Sequence, residues 1–427
     1  MTRKSFLVSA LLGAADLSMG GMKSPADPCV GKKLKKWESG HLTIHAIYTG
    51  CGEQQFIIFP DGTTMLLDCG DCAAMTGGDI SVPVKPREPY RLGGDWVARY
   101  VARVNPNGRD VDYAVATHWH SDHVGTPFWC TSERTRKIKW WAIPYKRSGF
   151  GIAIEDLKFR YAVDRGYPDY DDPFYQNTPD HALPHWQNIV KYIAKRDGTK
   201  IEKVRLGADD QFRALRGEVR DFSVFNICAN GRIAFPDGRV VDCYADRLAA
   251  TPKPKYLNEN GMSLGMVFAY GKFKYYTAGD FSDSWKLADG TVCQIEDTMA
   301  EAVPPCSVAK VNHHACGGMP KKIVAALRPK VWLSCILDSV QNQPAVLGRL
   351  SDRSLYPGDR LICPTVFPVR RQKADAGKPW IKDIAPESFD AGHVVIDVPP
   401  GGETFSVSYL TADDESMRVK AKYTFRS

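Results

Sequence analysis

The sequence predicts a mixed α/β fold of four layers, two β-sheets packed face to face with helices over both outer faces. Strand-like segments come in two groups, one in each half of the globular part. Amphipathic helical stretches flank each group, and no linker divides the 427 residues into independent domains. A sheet that buries one face on a second sheet and the other under helices gives this layering.

The first group runs from His41 to Tyr48, Gln55 to Phe59 and Thr63 to Leu67, the last two joined by Pro60-Asp61-Gly62, which suits a hairpin turn. Asp95 caps a helix with Trp96, Val97, Tyr100, Val101 and Val104 on one face, and a buried strand follows from Asp112 to Thr117. From about 145 to 217 the sequence turns rich in Tyr, Asp and Pro and is expected to be an inserted lid. It holds one helix, from Pro184 to the stop at Gly198. The second group comprises strands near Phe222–Ile227, Arg239–Asp242, Leu264–Ala269 and Phe273–Ala278. Helices near Ile295–Ala302 and Lys321–Leu327 then alternate with strands Ser307–Val311 and Lys330–Leu333, and a pair, His393–Val398 and Thr404–Tyr409, closes the chain.

A hydrophobic content of 44% is enough for a sizeable core, while 25% charged residues and the lack of a long apolar run argue against disorder and a membrane span. The net charge of +7 is spread along the chain, so nucleic acid stays open as a partner without being indicated. Arg3 and Lys4 precede an apolar run from Phe6 to Ala15 and a small, polar exit through Ser18 to Gly21. That layout is expected of a secretory signal peptide over residues 1–23, with the hydrolase domain over 24–427 and a secreted or periplasmic location. The twelve cysteines are irregularly spaced, and the CxxC of Cys69 and Cys72 reads as a local disulfide or as buried thiols.

The chemistry concentrates in Thr117-His118-Trp119-His120-Ser121-Asp122-His123, directly after a buried strand. Imidazole and carboxylate are ligands for zinc and similar metals. In extended backbone, residues two apart share a side, so His118 and His120 can grip one ion, and Asp122 and His123, past the bend, can face a second.

This run resembles the HxHxDH signature of the metallo-β-lactamase superfamily. Three further segments resemble that superfamily in the same order: FIIFPDGTTMLLDCG over 56–70, NENGMSLGMVFAYGKFKYYTAGD over 258–280, and AKVNHHA over 309–315. The likeness is nearest to the hydrolase domain of competence DNA-uptake proteins and to teichoic-acid phosphorylcholine esterases, and the full HxHxDH is nearer the esterase form. It implies that His118 and His120 bind a first metal, Asp122 and His123 a second, and Asp280 bridges them. A carboxylate at the end of an apolar strand would in any case need a charged partner, which supports Asp280 independently. Of the histidine pair, His313 is taken as the ligand because it comes first at the strand end. His314 then faces substrate as a proton donor, beside Asp122 as a catalytic group, and on sequence the two histidines are interchangeable. The third histidine that many members supply to the first metal has only His181 and His185 as candidates. His185 is taken, with water or no ligand as the alternative. Asp68 is expected to orient the ligands from behind, and Trp119 and Asn260 to touch substrate.

Two zinc ions, with manganese as an alternative, about 3.5 to 4 Å apart would activate a water for hydrolysis. Phosphoester, lactone, thioester and β-lactam bonds all suit such a centre. A phosphoester or phosphodiester, on a small molecule or a cell-envelope polymer, is expected because the proteins it resembles act on such bonds. The absence of a GxSxG motif argues against a covalent route. Tyr161, Tyr167, Tyr170, Phe174, Tyr175 and Trp186, with Trp119, Trp129, Trp140 and Trp141, would form either a cage for a choline-like cation, a stacking surface for bases, or ordinary packing. A metal-free binding protein is the alternative of another class. The oligomeric state is not written in the sequence.

Overall fold

The structure is a computed structural model. It describes residues 27–72, 85–86, 91–126, 143–172, 182–245, 258–282, 284–286, 290 and 292–427. The expected signal peptide, His181, and the aromatics at 129, 140, 141, 174 and 175 lie outside the described residues.

Strands β1 (Leu42–Ala46), β2 (Gln55–Ile58) and β3 (Thr64–Leu67) form an antiparallel meander. Helix α1 (Gly93–Val104) crosses to β4 (Asp110–Val115), which lies parallel to β3. After a single turn, α2 (Ser121–Val124), come α3 (Phe150–Asp156), β5 (Lys158–Asp164), α4 (Leu183–Asp197) and β6 (Lys200–Lys203), each strand parallel to the one before. The second sheet begins with β7 (Phe222–Ala229), β8 (Arg232–Ala234), β9 (Val240–Asp242), β10 (Gly265–Tyr270) and β11 (Phe273–Ala278), all antiparallel. A small hairpin, β12 (Ser284–Lys286) and β13 (Val292–Gln294), leads into α5 (Ile295–Ala302). Strands β14 (Val308–Lys310), β15 (Val331–Ser334) and β16 (Leu361–Pro364) then join in parallel, separated by α6 (Lys321–Leu327) and α7 (Pro344–Leu350) and followed by α8 (Val369–Ala374). The closing strands β17 (His393–Val398), β18 (Thr404–Leu410) and β19 (Val419–Arg426) return to the first sheet, β17 pairing with β1. Among the described residues the sheet orders are β19-β18-β17-β1-β2-β3-β4-β5-β6 and β16-β15-β14-β11-β10-β7-β8-β9.

The period of two along each strand sorts its residues between two cores. Ile57, Met65, Leu67 and Val115 face Met266 and Phe268 of the second sheet. Their neighbours Phe56, Ile58, Leu66 and Ala114 face the other way, onto Val97, Val101, Phe150, Trp186 and Ile189 of α1, α3 and α4. On the far side Tyr276, Ala309 and Trp332 meet Ile295, Met299, Ile323, Leu327 and Leu347 of α5, α6 and α7. The result is the expected four-layer αββα sandwich. No helix among the described residues is long and apolar enough to cross a membrane.

One expectation needs correction. The described residues between 145 and 217 are no lid: they supply β5 and β6, two parallel strands at the edge of the first sheet, and the helices α3 and α4 that cover it. Parallel addition requires a crossover for each strand, so the polar faces of two helices and the Tyr/Asp/Pro-rich turn after β5 dilute the strand pattern. Cys69 and Cys72 are buried, unbridged thiols.

The chain segments that matter for chemistry leave the carboxyl ends of β3, β4, β11 and β14, where open α/β sheets commonly bind ligands. Backbone bonds lace these segments together: Glu53 N to Asp122 O at 2.8 Å, Cys69 N to His123 O at 2.8 Å, Asp71 N to Ser121 O at 3.0 Å, and Leu264 N to Thr117 O at 2.9 Å. Gly70 sits flat against this lacing, and a Cβ there would lie 1.6 Å from the Asp122 carbonyl oxygen. Gly70→Ala is therefore expected to destabilise the protein by about 3 kcal/mol or more, measured by denaturant unfolding. Gly217→Ala, whose Cβ would meet nothing within 4 Å, should be close to neutral in the same assay.

Candidate metal centre

Asp68, one residue past β3, adopts a left-handed φ of 59° and is fully buried. Its carboxylate accepts from Thr117 N and from Thr117 Oγ1, both at 2.8 Å, and lies 2.7 Å from His123 Nδ1. The same carboxylate thus holds the start of the histidine run and its last ring. After β11, Asp280 is set by a bond from its own N–H to Ser263 Oγ at 3.0 Å. After β14 the chain turns through His313, His314 and Ala315, with φ of 49°, 50° and 58°. His314 Nδ1 is 2.8 Å from Cys335 O and 3.2 Å from a carboxylate oxygen of Glu53.

These constraints converge on one point. His123 Nε2 and His314 Nε2 are 3.3 Å apart, each is 3.1 Å from the same Asp280 oxygen, and His314 Nε2 is 3.2 Å from Asp122. Candidate ligand atoms of Glu53, His123, Asp280 and His314 all lie within 4.8 Å of one another, and all four residues are buried. The proton accounting is decisive. Each Nδ1 faces an acceptor and so carries its proton there, which leaves two Nε2 lone pairs facing each other and a carboxylate. Only a cation, either extra protons or a metal, reconciles that arrangement at low dielectric. Asp280 Oδ1 has no hydrogen-bond partner, a further acceptor in want of a positive charge. Without a metal, burial alone would discharge both rings, but Asp280 and its neighbouring carboxylates outweigh it and push His123 and His314 well above the usual imidazole range. Burial would likewise raise Asp280, yet the two rings hold it well below the carboxylate range. The imidazole and carboxylate donors therefore fit a divalent cation.

His118 and His120 form the adjoining pair, His118 Nε2 3.1 Å from His120 Nδ1. Burial, then the neighbouring His123 and His120, holds His118 well below the usual imidazole range, so it stays neutral and able to donate a lone pair. The open side of the cluster is formed by the partly exposed His120, Asp122 and His313. His313 Nε2 lies 3.4 Å from Asn260 Nδ2, which puts both of these residues beside the cluster.

Two placements differ from expectation. Trp119 is buried beneath the Arg165 guanidinium, 3.8 Å from its ring centre, and its backbone N–H donates to Glu259 at 2.9 Å; an indole 1% exposed has no face left for substrate. His185 starts α4 as its sequence suggests, but its Nε2 is 3.3 Å from Ser148 O and it packs on the backbone of Gly125 and Gly151, outside the cluster. Trp186 and Tyr170 also turn inward, both donating to Asp164, so these aromatics pack the layer and form no cage.

Glu53 and Lys310 escaped the sequence reading. Lys310 Nζ is 2.9 Å from Glu53 and 2.6 Å from Ala278 O, all buried. The only sequence signal was the charge of Lys310 at an apolar strand end, since Glu53 stands in a short polar turn.

The comparisons bear on this site. Residues 48–126 match the family model described as Metallo-beta-lactamase superfamily. That stretch carries β2, β3, β4, Asp68 and the whole run from Thr117 to His123. Asp280 and His314 lie beyond it and are brought in by the second sheet. A search of the curated proteins finds no match. The matched segment, the αββα layers and the buried cluster together indicate a metal-dependent hydrolase in the broad sense.

Two outcomes are expected. Asp68→Asn keeps the shape but loses the carboxylate behind His123, and should weaken binding of a divalent cation by roughly 10- to 100-fold, measured by titration calorimetry. The second concerns Glu296 on α5, which is buried and accepts from Asn312 Nδ2 at 2.7 Å and from Met319 N at 2.8 Å, on either side of the histidine turn. Burial pushes its carboxyl up to about 7, so its contribution to stability is present at low pH and is lost as pH rises through 7. Relative to Glu296→Gln, the native protein should lose about 3 kcal/mol between pH 4.5 and 8, read from unfolding curves across that range.

Proposed function

We propose that the chain is a metallo-hydrolase that cleaves phosphoester or phosphodiester bonds with water activated between two divalent cations, zinc or manganese. The observation that carries this reading is the convergence of His123 Nε2 and His314 Nε2 on Asp280, beside the His118–His120 pair. In this reading His118 and His120 would hold a first ion and Asp122, His123 and His314 a second, with Asp280 as a ligand shared by the two. His314 takes the ligand role that chain order suggested for His313. His313, partly exposed beside Asn260, takes the role towards substrate.

Bound there, the cations supply the Lewis acidity that brings a water's pKa towards neutrality and polarises a phosphoryl oxygen. The protein's own groups do the rest. Asp122, with a side chain 23% exposed, stands at the open side and holds the proton lost by the attacking water. His313 stands at the open side beside the leaving oxygen, and Asn260 Nδ2 orients that ring by donating to its Nε2 at 3.4 Å. Asp68 fixes the tautomer of His123, and Cys335 O, with Glu53 beside it, that of His314. The likeness of the histidine run and of the 258–280 segment to phosphoesterases supports phosphoryl over acyl transfer.

Purified protein is expected to contain about two equivalents of zinc or manganese by elemental analysis and to hydrolyse bis(4-nitrophenyl) phosphate. Asp280→Ala and His314→Ala should lose metal and at least roughly 100-fold in kcat, while His313→Ala should keep its metal and lose kcat alone. Phosphorylcholine esters, single-stranded DNA, a lactone and nitrocefin, assayed side by side, test the bond class. Turnover of the lactone or nitrocefin without phosphoester cleavage would overturn it, and protein that takes up no metal would place the chain among binding proteins.

A further inference from the structure

Helices cover the outward face of β2 to β5, but over β1, β17 and β18 the cover is the segment 27–38. It is tied to the start of β19 by Gly31 N to Val419 O at 2.9 Å, Leu34 N to Met417 O at 3.0 Å and Val419 N to Lys32 O at 2.9 Å. Between segment and sheet lies a cavity of about 560 Å³, which shares no residue with the histidine cluster. That volume is typical of a small-molecule site.

Its floor is polar and buried: Thr43, His45, Ser406 and Ser408 are each more than nine-tenths buried. Thr43 Oγ1 has no hydrogen-bond partner, although a buried hydroxyl ordinarily finds one. The rim carries Lys32, Lys33, Lys35 and Lys36, which have no carboxylate within ion-pair distance among the described residues. The acids of the lining each have a partner within it. Asp397 is 2.9 Å from His41 Nδ1, Glu38 is 3.8 Å from His41 Nε2, and Asp27 accepts from Cys29 N at 2.9 Å and lies 3.8 Å from Lys422. Leu34, Trp37, Val104, Val395 and Val419 supply apolar wall.

We propose that this cleft binds a small organic phosphate, with the oxyanion towards the lysines and the Thr43 hydroxyl and the organic body against Trp37, Leu34 and Val395. Lysines serve phosphate as point charges. Four of them on one rim exceed what the two oxygens of one carboxylate would use, whereas a dianionic head with three oxygens matches them.

The probe is phenylphosphonate, whose carbon–phosphorus bond resists hydrolysis, titrated calorimetrically into the full-length native and Asp280→Ala proteins. Binding at the cleft is expected in both, weakened by added salt. Changing Lys32, Lys33, Lys35 and Lys36 together to Gln should weaken it by about ten-fold or more, and Thr43→Val by roughly five-fold. Benzoate and inorganic phosphate should bind less tightly, for want of charge and of an apolar body respectively. The proposal fails if Asp280→Ala protein shows no saturable binding, or if the four-lysine change leaves affinity unmoved. Benzoate or inorganic phosphate binding as tightly as phenylphosphonate would overturn the ligand class.

Discussion

The contact from His123 Nδ1 to Asp68, 2.7 Å long and wholly buried, is the constraint on which the site depends. It fixes which nitrogen of His123 is bare, and it does so from the end of β3, the strand next to β4, which leads into the histidine run. Because Asp68 also takes both donors of Thr117, the run is held at its beginning and at its end by one carboxylate. The backbone bonds of 69–71 to 121–123 then tie the turn α2 to the chain leaving β3, and Gly70 is glycine because a side chain there would occupy the place of the Asp122 carbonyl. Burial pushes the Asp68 carboxyl up, so the residue is costly by itself and is retained for what it positions.

Glu53 does for His314 what Asp68 does for His123. It belongs to the first sheet, in the turn between β1 and β2, while His314 and Lys310 belong to the second, so this ion cluster spans the two sheets at the edge where they meet. A buried pair of this kind adds little net stability, because desolvation offsets its attraction. Its effect is geometric: with Nδ1 committed to Glu53 and Cys335 O, the His314 ring has one orientation, and its Nε2 meets Asp280.

How much of this could be read in advance follows from how local each feature is. The run from His118 to His123 is contiguous and follows a strand, so spacing alone makes it visible. Asp280 is visible because a carboxylate closing an apolar strand demands a partner. The division of labour between His313 and His314 is not visible, since chain order does not say which of two adjacent left-handed residues turns inward. Trp119 beside two histidines reads as a contact surface, and only Arg165, distant in sequence, shows that it is an anchor. The edge strands β5 and β6 were hidden by the polar helices that any parallel crossover needs. Glu53 was hidden because nothing in a short polar turn announces complete burial.

The turn at 313–315 separates a structural loop from a functional one. Three successive residues with side chains in the left-handed region cost about 1–3 kcal/mol each, and glycine would remove most of that. Glycines stand just after, at Gly317 and Gly318, with φ of 84° and 63°. A loop built only to join β14 to α6 would place them where the strain is greatest. Imidazoles at two of the three strained positions and glycines at the later ones therefore argue that those side chains are what the loop exists to present. The surroundings hold the strain in place: Glu296 grips Asn312 and Met319, Gln343 N donates to Ala315 O at 2.9 Å, and Cys335 O fixes the His314 ring. A metal-ligating histidine has to be held to a few tenths of an ångström, and a turn with no freedom left is one way to hold it.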